Sequence, residues 1–124
     1  MKSTTKHILL LLFVTIVQFY GSSQNTLSFS DSIFEYSLRD NTESEVGIKY
    51  ALCKNDSIVE IPQLVSYNGK TYAITFIGDY SFNSGKLYEV IIPNSIDSIG
   101  YSAFSHCENL TKAPLPNSIK TIGV

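Results

Sequence analysis

Apolar residues return along this chain in three different rhythms. The first is an unbroken run, Ile8 to Val17, interrupted only by Thr15. The second is strict alternation. "IFEYSL" sets Phe34, Tyr36 and Leu38 on one face, and "VGIKYALC" does the same with Val46, Ile48, Tyr50 and Leu52. Alternation of this kind predicts strands, and the polar loop Arg39 to Glu45 between them predicts an antiparallel pair. The third rhythm is mixed. "LYEVIIP" sets Leu87, Val90 and Ile92 inward and leaves Glu89 and Ile91 outward, as a short strand requires. Pro93, which has no N–H for a ladder, ends that strand. Ile96 and Ile99 follow as two buried anchors. Phe104, Cys107 and Leu110 then come at three-residue steps, which predicts a short helical or 3₁₀ turn.

The third rhythm repeats. "PNSIDSIG", Pro93 to Gly100, returns as "PNSIKTIG", Pro116 to Gly123, with six of eight positions identical and Asp97 replaced by the opposite charge of Lys120. Ile77-Gly78, Ile99-Gly100 and Ile122-Gly123 are spaced 22 and 23; Phe82 meets Phe104 at 22, and Leu87 meets Leu110 at 23. A period in the twenties, marked by leucine and isoleucine, predicts a solenoid whose units bury their apolar residues only by stacking. "VEIP", Val59 to Pro62, has the inward residues of "VIIP", Val90 to Pro93, so a degraded unit precedes the two full ones. Its extra residues include Asn68-Gly69, a tight-turn signal, and predict an inserted hairpin over 64–73. The expected fold is a β-rich α/β solenoid with short parallel strands and short helical or 3₁₀ turns, preceded by an antiparallel β-hairpin cap. The expected domains are 1–23, a 24–56 cap and a 57–124 repeat region.

Composition changes this picture at the two ends. Lys2 and Lys6, the apolar run, and then Gly21 and Ser23 give the basic, apolar and small order of a secretory signal peptide over 1–23. The run is well short of the ~20 residues that a membrane span needs. The first cysteine is Cys53, so a lipid-bearing cysteine at the cleavage point is excluded. A chain starting at Gln24 keeps seven of nine basic residues and all eleven acids, a formal charge of −4. Its cations are scattered singly, which argues against nucleic acid. At the C-terminal end the strand from Leu110 to Pro116 is expected to lie at the sheet's edge, with Pro114 removing one ladder donor, and self-association through that edge is expected.

Chemistry finds little purchase. His106 and Cys107 are adjacent, but neighbours in sequence do not face each other in a helical turn. One histidine and two cysteines after the signal peptide make no zinc set, and no phosphate loop is spaced correctly, so no catalytic residue, metal or cofactor is expected. If the units stack in register, Cys53 and Cys107 lie two strands apart, roughly 10 Å, so two free thiols are expected. Tyr67, Tyr72, Tyr80, Tyr88 and Tyr101 have two readings, as filling between units or as a recognition surface.

With these residues in place the chain resembles the BspA-like leucine-rich repeat proteins. "LYEVIIPNSIDSIGYSAFSHCENL", Leu87 to Leu110, is similar to that family's unit nearly throughout, and "IPQLVSYNGKTYAITFIGDYSF", Ile61 to Phe82, looks like its N-terminal entry. Ser84 stands where the next unit has cysteine. The resemblance implies an exported or surface-displayed, non-enzymatic protein that adheres to proteins or cell surfaces. On that reading Glu89, Ile91, Lys112 and Pro114 form the outward binding surface. The partner is a protein or cell-surface macromolecule and not a nucleic acid, and the chain does not span a membrane after signal cleavage. The competing classes are a fragmentary repeat with only a structural role and a small extracellular hydrolase, for which His106 would be the first residue to test.

Overall fold

The computed structural model describes residues 27–52 and 55–124; the expected signal peptide and Cys53 lie outside the described residues. The described residues form nine strands and no helix: β1 (Ser28–Ser30), β2 (Phe34–Leu38), β3 (Glu45–Ala51), β4 (Ile58–Glu60), β5 (Leu64–Tyr67), β6 (Lys70–Ile77), β7 (Glu89–Ile91), β8 (Ser98–Ile99) and β9 (Thr121–Ile122). They make two sheets. One is seven-stranded, in the order β1-β2-β3-β6-β8-β9 with β5 also paired to β6; the other is β4-β7.

The alternating segments pair antiparallel, β1 with β2 and β2 with β3, and Asn68 and Gly69 turn β5 antiparallel onto β6 with positive φ at both positions. From β3 onward the large sheet is parallel: β3 beside β6, β6 beside β8, β8 beside β9. The same hydrogen bond joins each step. Gly78 N–H donates to Ile48 O, Gly100 N–H to Ile77 O, and Gly123 N–H to Ile99 O, at 2.7–2.8 Å. A Cβ on Gly78 or Gly123 would meet the neighbouring backbone, which is why glycine follows each of Ile77, Ile99 and Ile122. "PNSIDSIG" and "PNSIKTIG" close with the same turn: Ile96 N–H donates to Pro93 O, and Ile119 N–H to Pro116 O.

The core follows the third rhythm. Leu87, Val90, Ile96 and Ile99 are buried, as are Val59, Ile61, Ile74 and Ile77 of the preceding unit. Phe104 stacks on Phe82 at 4.8 Å between ring centres, and Phe82 meets Phe34 edge-on at 6.2 Å, so one aromatic column joins the N-terminal strands to the repeats. Each fully buried aliphatic side chain contributes roughly 1.5–3 kcal/mol.

Three expectations are corrected. Tyr50 and Leu52 do not share the inward face of Val46 and Ile48; they are 48% and 43% exposed, and Ala51 is buried instead. The register with β2 jumps so that Tyr36 opposes Ile48 and Glu35 opposes Tyr50; Lys49 is the extra residue that turns the strand over. The three-residue steps at Phe104, Cys107 and Leu110 make separate turns rather than a helix. Ser105, Cys107 and Leu110 each donate an N–H to the carbonyl three residues back, but His106 has φ 60°, which interrupts any helical run. The repeated segment, expected only to supply two buried anchors per unit, also adds strands, since Ser98–Ile99 and Thr121–Ile122 extend the large sheet.

Candidate binding face

The small sheet is parallel and in register: Ile58 beside Glu89, Val59 beside Val90, Glu60 beside Ile91. A third segment joins it by one bridge, Glu89 to Lys112. Thr111 and Lys112 donate to Tyr88 O, and Val90 donates to Lys112 O. In a parallel ladder the next donor would be the N–H of residue 114. Pro114 has none, and the ladder stops there.

Because Val59 and Val90 are buried, alternate residues project outward, in two rows. One row is Ile58, Glu89 and Lys112. The other is Glu60 and Ile91, with Pro114 in line beyond them. Ile58 is 57% exposed and Ile91 41%, while Glu60, Lys112 and Pro114 are exposed and Glu89 is half-buried. Lys112 Nζ lies 3.9 Å from Glu89 Oε2 and 5.4 Å from the centre of the Tyr88 ring. Of the four residues singled out from the sequence, Glu89 and Ile91 lie on β7, Lys112 is bridged to Glu89, and Pro114 follows where pairing has ended; Ile58 and Glu60 of β4 lie beside Glu89 and Ile91. The match of "VEIP" with "VIIP" rests on its inward residues alone and does not single out Ile58 and Glu60.

A second polar group, on the large sheet, ties the units together. Arg39 Nη1 donates to Asp97 Oδ1 and Oδ2 and to Thr75 Oγ1, all at 3.0 Å, and lies 3.4 Å from Glu45 Oε2. Its guanidinium covers the Phe76 ring, which in turn lies on Gly47, where a Cβ would collide with it. Burial pushes the Asp97 carboxyl up, but hydrogen bonds from Arg39 and Ser98 outweigh this and hold it below the usual carboxylate range. At the N-terminal strands Asp31 accepts the Tyr36 hydroxyl at 2.6 Å; burial and that carboxylate push the Tyr36 phenol up. Both groups are fully engaged in holding strands together.

His106 is exposed, whereas Cys107 is half-buried, packs against the core and is a free thiol. The described residues hold no group of three or more metal-ligating side chains. The five tyrosines divide. Tyr72 is buried and Tyr67 half-buried, each beside Phe29, while Tyr80, Tyr88 and Tyr101 are exposed.

A family model described as "BspA type Leucine rich repeat region (6 copies)" matches residues 75–124. No curated protein matches the chain. Several solved structures do. A leucine-rich repeat protein from Bacteroides capillosus is 22% identical with TM-score 0.67, the match covering 77% of this chain and 70% of that one. A leucine rich cell surface protein from Faecalibacterium prausnitzii is 25% identical with TM-score 0.67, covering 82% and 28%. A leucine-rich repeat protein from Bacteroides ovatus is 30% identical with TM-score 0.62, covering 74% and 24%. The chain spans about a quarter of the length of the last two.

Proposed function

We propose, from the premise that residues 75–124 are a BspA-type leucine-rich repeat region, that this chain is an exported, non-catalytic module which binds a protein or another cell-surface macromolecule. The observation that carries the reading is the outward face of β4, β7 and Lys112. Two isoleucines there, Ile58 and Ile91, are held in water by the register that buries Val59 and Val90. Exposed apolar residues on a rigid backbone, ringed by Glu60, Glu89 and Lys112, make the kind of patch that a partner covers. The face works by shape and burial, with the charges setting orientation. Residues 1–23 serve as the signal peptide, 24–56 cap the stack, and 57–124 form the solenoid with its inserted hairpin at 64–73. Export places the face outside the cell, where an adhesive role is available to it, and the cell-surface description of the Faecalibacterium prausnitzii protein is consistent with this.

The test uses the secreted chain. Its intact mass should correspond to a start at Gln24. Binding to immobilised extracellular matrix proteins and to epithelial cells is then compared between the wild type and an Ile58→Asp/Ile91→Asp double variant. The double variant should bind about tenfold more weakly or worse, the loss expected when a central apolar contact of an interface is removed. A Glu43→Lys variant, away from the face, should bind as the wild type does. Equal binding by all three would dismiss the face.

A further inference from the structure

The large sheet carries a second surface of different chemistry. Phe76, Ser98 and Thr121 lie side by side on β6, β8 and β9 and face outward, since Ile77 and Ile99 beside them point into the core. Next to them runs the strip of Gly78, Gly100 and Gly123, and beyond it stands Tyr101. Together they line a shallow trough of about 540 Å³.

Tyr101 is held in place from three directions. Its N–H donates to Asp79 Oδ1 at 2.7 Å, its carbonyl accepts from Tyr80 N–H at 3.0 Å, and the Tyr80 ring meets its ring edge-on at 5.5 Å and 71°. Even so, Tyr101 is 47% exposed and Tyr80 53%. Tyr80 also has φ 52°, a left-handed backbone that bulky side chains rarely adopt. The equivalent residue of the next unit, Ser102, has the same backbone with φ 47°. The turn therefore demands the strained conformation, but not a tyrosine in it. A large aromatic ring is placed where a small residue would fold more easily, and it braces a second ring that faces water.

We propose that this trough binds a neutral sugar, with one pyranose face stacked on Tyr101. Three features select that class. Tyr101 offers a pre-positioned ring and a hydroxyl. Asp79, with one carboxylate oxygen engaged by Tyr101, has the other as an acceptor for sugar hydroxyls, and Thr121 adds a hydroxyl across the trough. No lysine, arginine or histidine lines it, and Arg39, which covers the Phe76 ring at one end, is engaged by Asp97 and Glu45, so an acidic sugar or a phosphate finds no free counter-charge. A peptide strand is also a poor fit, because the glycine N–H groups of the floor are already bonded to Ile48, Ile77 and Ile99. This surface is separate from the β4–β7 face, so each stands or falls alone.

The test is affinity electrophoresis of the folded, secreted chain through gels holding neutral β-glucan, mannan or galactan, with polygalacturonate as the acidic comparison. At least one neutral polysaccharide should retard the wild type and the acidic one should not. Tyr101→Ala should weaken retardation about tenfold, as loss of an aromatic platform would. Tyr101→Phe should keep most of it, and Glu43→Lys, outside the trough lining, should leave it unchanged. As a readout independent of any variant, the matching oligosaccharide is titrated into the wild type while tyrosine ring resonances are followed, and those of Tyr101 should shift first. The proposal is overturned if no neutral polysaccharide retards the chain, if only the acidic one does, if folded Tyr101→Ala is retarded like the wild type, or if the perturbed resonances lie away from Tyr101.

Discussion

Ser95 and Ser118 occupy the same place in consecutive units, yet only one finds a partner. Ser118 Oγ donates to Ile96 O at 2.6 Å, whereas Ser95 Oγ is buried without a partner. Ser84 Oγ is likewise buried and unpartnered, and the residue as a whole is 6% exposed. A buried hydroxyl without a partner costs about 1–3 kcal/mol, whereas a thiol is a small apolar group that tolerates burial. Ser84→Cys is therefore expected to stabilise the chain by ~1 kcal/mol, read as a rise in Tm under reducing conditions; a fall would show the hydroxyl to be satisfied. Asp97 gives the opposite case. Its folded carboxyl lies below the ordinary range, so the stability it supplies is complete above the unfolded value of ~4 and is lost as pH falls through the depressed folded one. Asp97→Asn should cost about 1–2 kcal/mol at neutral pH, a charged hydrogen bond discounted for partial exposure. The gap in Tm between variant and wild type should close as pH drops toward ~2. A gap independent of pH would mean the Arg39 contact is not ionic.

Strands declared themselves in the sequence where they were long enough to alternate or were repeated. Leu87, Val90, Ile96 and Ile99 are buried as their spacing implied, because each has a counterpart one unit away. The outward places of Glu89 and Ile91 follow from the same pattern, whereas those of Ile58 and Glu60 do not, because the match of "VEIP" rests on its inward residues alone. Two-residue strands such as Ser98–Ile99 have no pattern of their own; only the neighbouring strands make them visible. The reversal at Lys49 was hidden for another reason, since a bulge leaves the alternation of letters intact while moving the side chains to the other face. The Tyr101 surface needs the fold itself, because Asp79 and Thr121 are 42 residues apart in the chain. Pro114 offers a test at this scale. Pro114→Ala supplies the absent N–H, and a new bond to Val90 O would contribute about 0.5–1.5 kcal/mol. Losing proline frees the unfolded chain by roughly 0.4–1 kcal/mol. The two nearly cancel, so Tm should hardly move, while amide exchange at residue 114 should be slow. Fast exchange there would show that the third segment does not pair beyond Lys112.

Over the whole molecule, the N-terminal strands and the repeats share one sheet through β3 and β6 and one aromatic column through Phe34, Phe82 and Phe104. Arg39 closes the same junction from outside, reaching across β3 and β6 to Asp97. Near-identical units carry a hazard during folding. The segment 116–123 has almost the same turn and anchors as 93–100, so either can dock beside β6. The reversed charge tells them apart. With Asp97 in place Arg39 has its carboxylate; with Lys120 there instead, two cations meet at about 4 Å, a penalty of ~1–4 kcal/mol depending on how much water remains. The residue pair thus works as an address label, rejecting a chain that has slipped by one unit. Lys120→Asp erases the label and keeps the Arg39–Asp97 hydrogen bonds, but it replaces the favourable Lys120 charge near Asp97 by a like one, so its kinetics are compared with the wild type at matched stability. Its refolding from denaturant should show a slow phase absent from the wild type, as slipped molecules back out and dock again; identical kinetics would mean that something other than charge keeps the units in order.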